Sequence, residues 1–198
     1  YNVLYVISSR VMKDNDETIC EICGRLADML RYSTNTKTRY ASIAEEVAYT
    51  EQYLYLIKVR YGDKISLDTE IDSGIKAQIV PKTVLQQIVE NSINHGFENN
   101  TGGMKMSVRG YQEDGRWFLS VRDNGQGFGE ETLRDLNEKF ARTKKSLFED
   151  RSNIELEIGG MGLVNAYARL LLIYSDSLVF ELKNTEDGAE VLFGAKMS

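Results

Sequence analysis

Glu90-Asn91-Ser92-Ile93-Asn94-His95-Gly96 decides the reading of this chain. Two glycine boxes follow it in order, Asp123-Asn124-Gly125-Gln126-Gly127-Phe128 and Gly159-Gly160-Met161-Gly162-Leu163. Gln87, Asn91 and His95 are four residues apart, so they share one face of a helix, with Glu90 and Asn94 at its edge. Val84, Leu85, Ile88, Val89 and Ile93 form the other face, which predicts packing on a sheet. Alone, the polar stripe reads equally as a solvated face or as a ligand surface. As a ligand surface it offers the Asn91 amide oxygen to Mg²⁺, which takes hard oxygen donors and usually keeps waters and phosphate oxygens as its other ligands.

Working outward, Trp117, Leu119 and Val121 alternate as a strand and lead into Asp123. A carboxylate at a strand end can accept a hydrogen bond from an exocyclic amine such as that of adenine. Gly125 and Gly127 beside it let the backbone approach a flat base closely. The same residues also read as a plain Asp-Asn-Gly turn. The second box precedes a predicted helix from Gly162 to about Ile173, whose free N–H groups and dipole could hold phosphate or merely start a helix. There is no Gly-x-x-x-x-Gly-Lys-Ser/Thr and no His-Arg-Asp loop, and Glu130 stands where a Rossmann fingerprint needs its third glycine. The three pieces together describe a pocket for ATP and a hard divalent cation, built without a P-loop. Residues 130–158 between the boxes read as charged and irregular, with one helix at most. A segment that long suits a lid. Arg142, Lys144 and Lys145 are its candidate cations, or surface charges.

The rest of the chain supplies a frame. Ile7, Val11, Ile19, Ile22, Leu26 and Leu30 recur near the helical period and predict a helix over residues 3–31. Residues 33–38 are a polar loop. Ser42 with Glu45 makes a capping box, and the second helix runs to about Arg60, ended by Gly62. Two long helices joined by a short loop form an antiparallel hairpin, whose exposed apolar stripe predicts a homodimer through these helices. Beyond Gly62 the pattern changes. Ile65, Leu67, Thr69 and Ile71 alternate as a strand, and Pro81 suits the start of the helix that ends at Gly96. Met104 to Val108 is a strand, Asp114-Gly115 a hairpin turn, and strands follow at 177–183 and 189–196 around a turn at Asp187-Gly188. The fold class is therefore α+β, a helical hairpin over 1–62 and then, over 63–198, a mixed sheet with helices on one face.

A net charge of −6 over 198 residues excludes non-specific nucleic-acid binding, which needs a basic surface. No apolar run is long enough to span a bilayer. Cys20 and Cys23, with one histidine in the chain, cannot complete a zinc site; they read as packing residues in a reducing compartment or as a redox-active pair.

With these motifs assembled, the chain resembles the GHKL ATPase superfamily and its left-handed β-α-β Bergerat fold. More closely, it resembles the catalytic region of bacterial sensor histidine kinases of the LytS/YesM type. Their Glu-Asn-x-x-x-His-Gly pattern matches Glu90 to Gly96, and their glycine boxes match Asp123 to Phe128 and Gly160 to Asn165. Leu30-Arg31-Tyr32 and Glu51 to Gly62 also look like the helical region of that subfamily.

The resemblance implies Mg-ATP as cofactor, with Asn91 the Mg²⁺ ligand and Asp123 the adenine reader. It makes Gln87, Asn94, His95, Gly125, Gly127, Phe128, Gly160, Met161, Gly162 and Leu163 the nucleotide contacts, with Glu90 a candidate to orient or deprotonate the acceptor imidazole. The family's phosphoacceptor lies in Pro-His-Phe-Leu-Tyr-Asn, so the chain, starting at Tyr1-Asn2, would carry its acceptor histidine just upstream. His95 belongs to the ATP pocket and is not that residue. The resemblance further implies a response regulator as partner and a membrane-anchored sensor upstream, which would make this the cytoplasmic portion of a bacterial inner-membrane protein. Three departures stand out. Gln86-Gln87 replaces a Gln-Pro pair, Asn94 stands where lysine is common, and Gln87 is not the water-activating glutamate of hydrolysing relatives. The alternatives to a kinase are a GHKL hydrolase and a catalytically silent nucleotide-binding dimerisation module.

Overall fold

Ser42 begins the second helix as its sequence requires. Its hydroxyl accepts from the Glu45 N–H at 3.2 Å, while the Glu45 carboxylate accepts from the Ser42 N–H at 2.7 Å. The computed structural model describes residues 16–35, 38–96, 103–150 and 162–197. Within them α1 is Asp16–Thr34, β1 Tyr40–Ser42, α2 Ile43–Tyr61, β2 Ile65–Ile71, β3 Ile79–Pro81 and α3 Val84–Gly96. Then follow β4 Met104–Glu113, β5 Arg116–Asp123, α4 Glu130–Lys145, α5 Gly162–Tyr174, β6 Val179–Asn184 and β7 Ala189–Lys196. The first half of the predicted helix over 3–31 lies outside the described residues.

The helices α1 and α2 pack through Ile22, Met29, Tyr49 and Leu56, with Tyr32, Tyr53 and Tyr55 around them. Arg25 lies over the Tyr55 ring at 3.8 Å, and the Tyr55 hydroxyl donates to Glu21 at 2.5 Å. Leu30, on the same helix, stays exposed. Cys23 is an exposed free thiol rather than a packing residue, because Ile22 and Met29 fill the seam between the two helices; the side chain of Cys20 lies outside the described residues.

Five strands form the main sheet in the order β2-β4-β5-β7-β6, with β2 parallel to β4 and the remaining pairs antiparallel. Alternation puts Met104, Met106, Val108, Trp117, Leu119, Val121, Val191 and Phe193 on one face. That face is covered by Val84, Leu85, Ile88, Val89 and Ile93 of α3 and by Leu163, Val164, Ala166 and Leu170 of α5. All five apolar residues predicted for the inner face of α3 are buried. The other face of the sheet mixes charged pairs with an aromatic stack of Tyr111 on Phe118. There Arg109 pairs with Asp68 and Glu70, and Ser120 and Arg122 both bond Glu190. The fold class is as expected, a helical hairpin followed by a mixed sheet with its helices on one face.

Two elements differ from expectation. Pro81 closes β3 instead of opening α3, because residues 79–81 pair antiparallel with residues 40–42. A proline without an N–H is tolerated in so short a ribbon. The helix starts only after Thr83, whose φ of +63° turns the chain. The segment after Gly129 is helical as far as residue 150, while residues 151–158 lie outside the described residues. It forms α4 and then a π-helical turn, Ser146–Asp150. Phe140 anchors α4 against Tyr167 of α5 and Phe180 of β6, with ring centroids 4.6 and 5.3 Å away. One apolar residue per turn suffices when aromatic neighbours from two other elements meet it.

Candidate functional site

The outer face of α3 and the loop after β5 enclose a cavity of about 240 Å³. Asn91, Ser92 and His95 line it from α3, Asp123, Gly127 and Phe128 from the loop, and Leu163 from α5. Thr132, Asp135, Leu136 and Lys139 of α4 close a further side. The lining combines an apolar floor with a few convergent polar groups, as ligand sites do.

Each polar group is held by its element. Asp123 ends β5, and its Oδ1 accepts from the Gly125 N–H at 2.9 Å, turning the chain under the cavity. Asn124 points the other way. Its Oδ1 accepts from the Lys105 N–H at 2.8 Å and its Nδ2 donates to Gly103 O at 3.1 Å, which fixes the loop to β4. Gly127 has a φ of +74°, and a Cβ there would lie 2.8 Å from Asn184 Oδ1. Asn184 in turn grips the Phe128 backbone from both sides, accepting from its N–H at 2.7 Å and donating to its carbonyl at 2.9 Å. Gly188 packs so tightly under the loop that a Cβ would meet Asp123 O at 2.2 Å. Asn184 and Gly188 thus shape the site without lining it.

The sequence-predicted residues divide. Asn91, His95, Asp123, Gly127, Phe128 and Leu163 meet at the cavity, with Gly125 in the adjacent turn. Gly162 starts α5 against the Gln87 carbonyl, at ordinary contact distance for a Cβ. Gln87 places its amide 3.5 Å from Arg169 Nη1, away from the cavity lining. Asn94 is exposed outside the lining. Glu90 is half-buried on the hairpin side of α3, where Gln86 donates to it at 2.7 Å and burial pushes its carboxyl above the usual range. Burial and then the Glu90 charge push up the Tyr53 hydroxyl of α2, which locates Glu90 against the hairpin. Gly159, Gly160 and Met161 lie outside the described residues. Among the candidate lid cations, Lys144 pairs with Asp176 at 3.0 Å, and Arg142 and Lys145 are exposed.

Sequence reading missed Ser92, Gln126, Gly129 and Ala189, the α4 residues Thr132, Asp135, Leu136 and Lys139, and the two supports. Lys139 pairs with Asp135 at 2.7 Å on the rim, and this i, i+4 pair was visible once α4 is known to be a helix. Asp187-Gly188 was readable as a turn, whereas its contact with the first glycine box joins residues far apart in sequence.

Residues 76–193 match the family model for histidine kinase-, DNA gyrase B- and HSP90-like ATPases, and residues 1–65 match the model for histidine kinases. Relatives include an uncharacterized sensor-like histidine kinase of Staphylococcus epidermidis, 32% identical over 60% of this chain and 23% of its own length. Sensor protein LytS of Oceanobacillus iheyensis is 26% identical over 98% of this chain and 31% of its own length. The sensor histidine kinase YpdA of Escherichia coli is 25% identical over the same shares. The chain thus spans between about a quarter and a third of the length of such relatives. The fold is shared with the catalytic domain of histidine kinase ThkA, at a TM-score of 0.54 and 18% identity over 79% of this chain and 93% of that one. It is shared as well with the ATP-binding domain of PrrB from Mycobacterium tuberculosis, at a TM-score of 0.51 and 11% identity over 80% and 96%.

Proposed function

The chain belongs to the histidine kinase-, DNA gyrase B- and HSP90-like ATPase family, and from that premise we propose that it is the Mg-ATP-dependent phosphotransferase core of a two-component sensor histidine kinase. Residues 1–62 serve as part of a dimerisation and phosphotransfer hairpin, and 63–198 as the ATP-binding domain. One observation carries this reading: a single cavity gathers Asn91 and His95 of α3 with Asp123 at the end of β5 and Gly127 of the loop after it.

Adenine takes the enclosed part, its amino group donating to the Asp123 carboxylate. The cavity is slightly smaller than the roughly 300–1,000 Å³ that encloses a drug-sized ligand, so the triphosphate extends past Asn91 and His95, out of the enclosed part. Asn91 offers the hard amide oxygen that fits Mg²⁺. When bound, Mg²⁺ neutralises charge on the phosphates.

We assign the acceptor role to an imidazole of the full-length protein other than His95, which lines the ATP cavity. The acceptor nitrogen attacks the γ-phosphorus in line, the bond to the β-phosphate oxygen breaks, ADP leaves, and the imidazole proton passes to a base. Glu90, half-buried on the hairpin side of α3, is the base or orienting group we assign. Positioning and electrostatics supply most of the rate. The phosphoryl group then passes to a response regulator. The full-length protein is a homodimer through its N-terminal helices, anchored in the bacterial inner membrane by an upstream sensor, with this portion in the cytoplasm.

The test is an N-terminally extended chain given γ-labelled ATP. The expected product is an acid-labile, base-stable phosphoprotein labelled upstream of Tyr1. Free phosphate without labelled protein would make it a hydrolase, and phosphate found on His95 would overturn the acceptor assignment.

A further inference from the structure

Glu46 is fully buried, next to the capping residue Glu45 but turned inward. Its two carboxylate oxygens serve three donors from two other elements. Oε1 accepts from the Tyr32 hydroxyl of α1 at 2.7 Å and from the Thr83 N–H at 2.6 Å, and Oε2 accepts from the Leu85 N–H at 3.0 Å. Thr83 and Leu85 are the entry to α3, where helical N–H groups have no partner in the preceding turn. The Thr83 hydroxyl donates instead to Lys82 O, at 2.6 Å. The cap of α3 therefore comes from α2, some forty residues away in sequence.

The opposite side of this entry is held by α5. Arg169 donates to Lys82 O and lies 3.5 Å from both Thr83 Oγ1 and Gln87 Oε1. Burial raises the Glu46 carboxyl, opposed by its three hydrogen bonds and the Arg169 charge. A buried carboxylate is tolerated where donors saturate it and a cation and a helix dipole face it. Tyr32 is locked as well, its ring stacked on Tyr49 at 4.4 Å. A helix is a stiff rod rising about 1.5 Å per residue, so Asn91 and His95 stand roughly 9 and 15 Å along α3 from Leu85.

We propose that Glu46 is a positioning residue that hooks the helical hairpin onto the N-terminus of the ATP-site helix, so that movement of the hairpin is passed to Asn91 and His95. Its relevance to phosphoryl transfer rests on the function proposed above. The carboxylate is specific to the role. Glutamine would set an NH₂ against one backbone N–H in either amide orientation, and aspartate falls short of the helix by one methylene.

His95 is the only histidine, so its imidazole Hε1 gives an NMR signal that needs no residue assignment. In Glu46→Gln that signal shifts, and Mg-ATP affinity falls roughly five- to tenfold, the low end of coupling between sites. Tyr32→Phe keeps the ring stack and removes one donor, and shifts the signal in the same direction by less. A cap that only stabilised the fold would lower the melting temperature and leave the His95 signal in place. The proposal is overturned if Glu46→Gln, or Tyr32→Phe should Glu46→Gln not fold, keeps the wild-type His95 signal. Were the wild-type chain to bind no Mg-ATP, the functional reading would fail while the His95 signal still reported the coupling.

Discussion

Gly188→Ala tests how the site is built. Gly188 lies in the turn between β6 and β7, where its carbonyl accepts from the Thr185 N–H at 2.9 Å. An added Cβ would meet Asp123 O at 2.2 Å, Gly125 N at 2.7 Å and Asn124 Cα at 2.9 Å. All three are backbone atoms of the loop that presents Asp123 to the cavity, so no side-chain rotation relieves the clash. Reaching ordinary contact needs a separation of about 1 Å between turn and loop. The same movement pulls Asn184 from Phe128. Overpacking of this kind costs about 1–3 kcal/mol, which for a chain of this size lowers the melting temperature by roughly 3–10 °C. Because the displaced atoms carry the adenine-reading carboxylate, Mg-ATP affinity should fall about tenfold, an expense of about 1.4 kcal/mol. Gly194→Ala is the control. Its Cβ would meet Trp117 O at 2.1 Å, an equal clash, but about 17 Å along β7 from Ala189 at the cavity. Thermal melts and calorimetric titration of both variants decide the matter. Both should lose stability and only Gly188→Ala should lose comparable affinity. Wild-type affinity in Gly188→Ala, or equal losses in the two, would refute the reasoning.

Other expectations follow from single contacts. Phe140→Ala empties the buried position between Tyr167 and Phe180 and should cost about 3–5 kcal/mol, a fall in melting temperature on the order of 10 °C, measured by calorimetry. Asn91→Ala should leave the melting temperature near wild type, weaken ATP binding, and make the remaining affinity insensitive to magnesium chelation; retained magnesium dependence would remove Asn91 as the ligand. Burial tends to raise the Glu190 carboxyl, but the Ser120 hydroxyl at 2.5 Å and Arg122 at 3.0 Å outweigh it and hold the carboxyl below its usual value. A depressed carboxyl stabilises the fold above its unfolded value and loses that contribution as pH falls through the folded one. Against Glu190→Gln, wild type should therefore keep an advantage on the order of 1 kcal/mol above about pH 4.5 and lose it below, read by urea unfolding across that range.

What was legible in the sequence was local. The Ser42 and Glu45 box, the two positive-φ residues of the Asp114-Gly115 turn, and the alternation of Ile65 to Ile71 each declare themselves within a few residues, and each stands where expected. The inner face of α3 was legible because five apolar residues repeat at helical spacing. The β1–β3 ribbon was not, since three residues carry no period and their partners lie about forty positions away. For the same reason Pro81 suggested a helix start. The sparse apolar residues of α4 hid a helix whose anchor, Phe140, is completed by α5 and β6. In the site, residues whose chemistry faces the cavity were readable as motifs. Asn184, Gly188 and Glu46 were not, because each acts on a backbone remote in sequence, and backbone partners leave no side-chain signature.

Calorimetric titration of the folded chain with a non-hydrolysable ATP analogue and magnesium tests the central claim most directly. A saturable one-to-one heat, weakened at least about tenfold in Asp123→Asn, is the predicted result, since that substitution removes a charged hydrogen-bond acceptor from the base. A folded chain that gives no heat, or an Asp123→Asn variant that titrates like wild type, would contradict it.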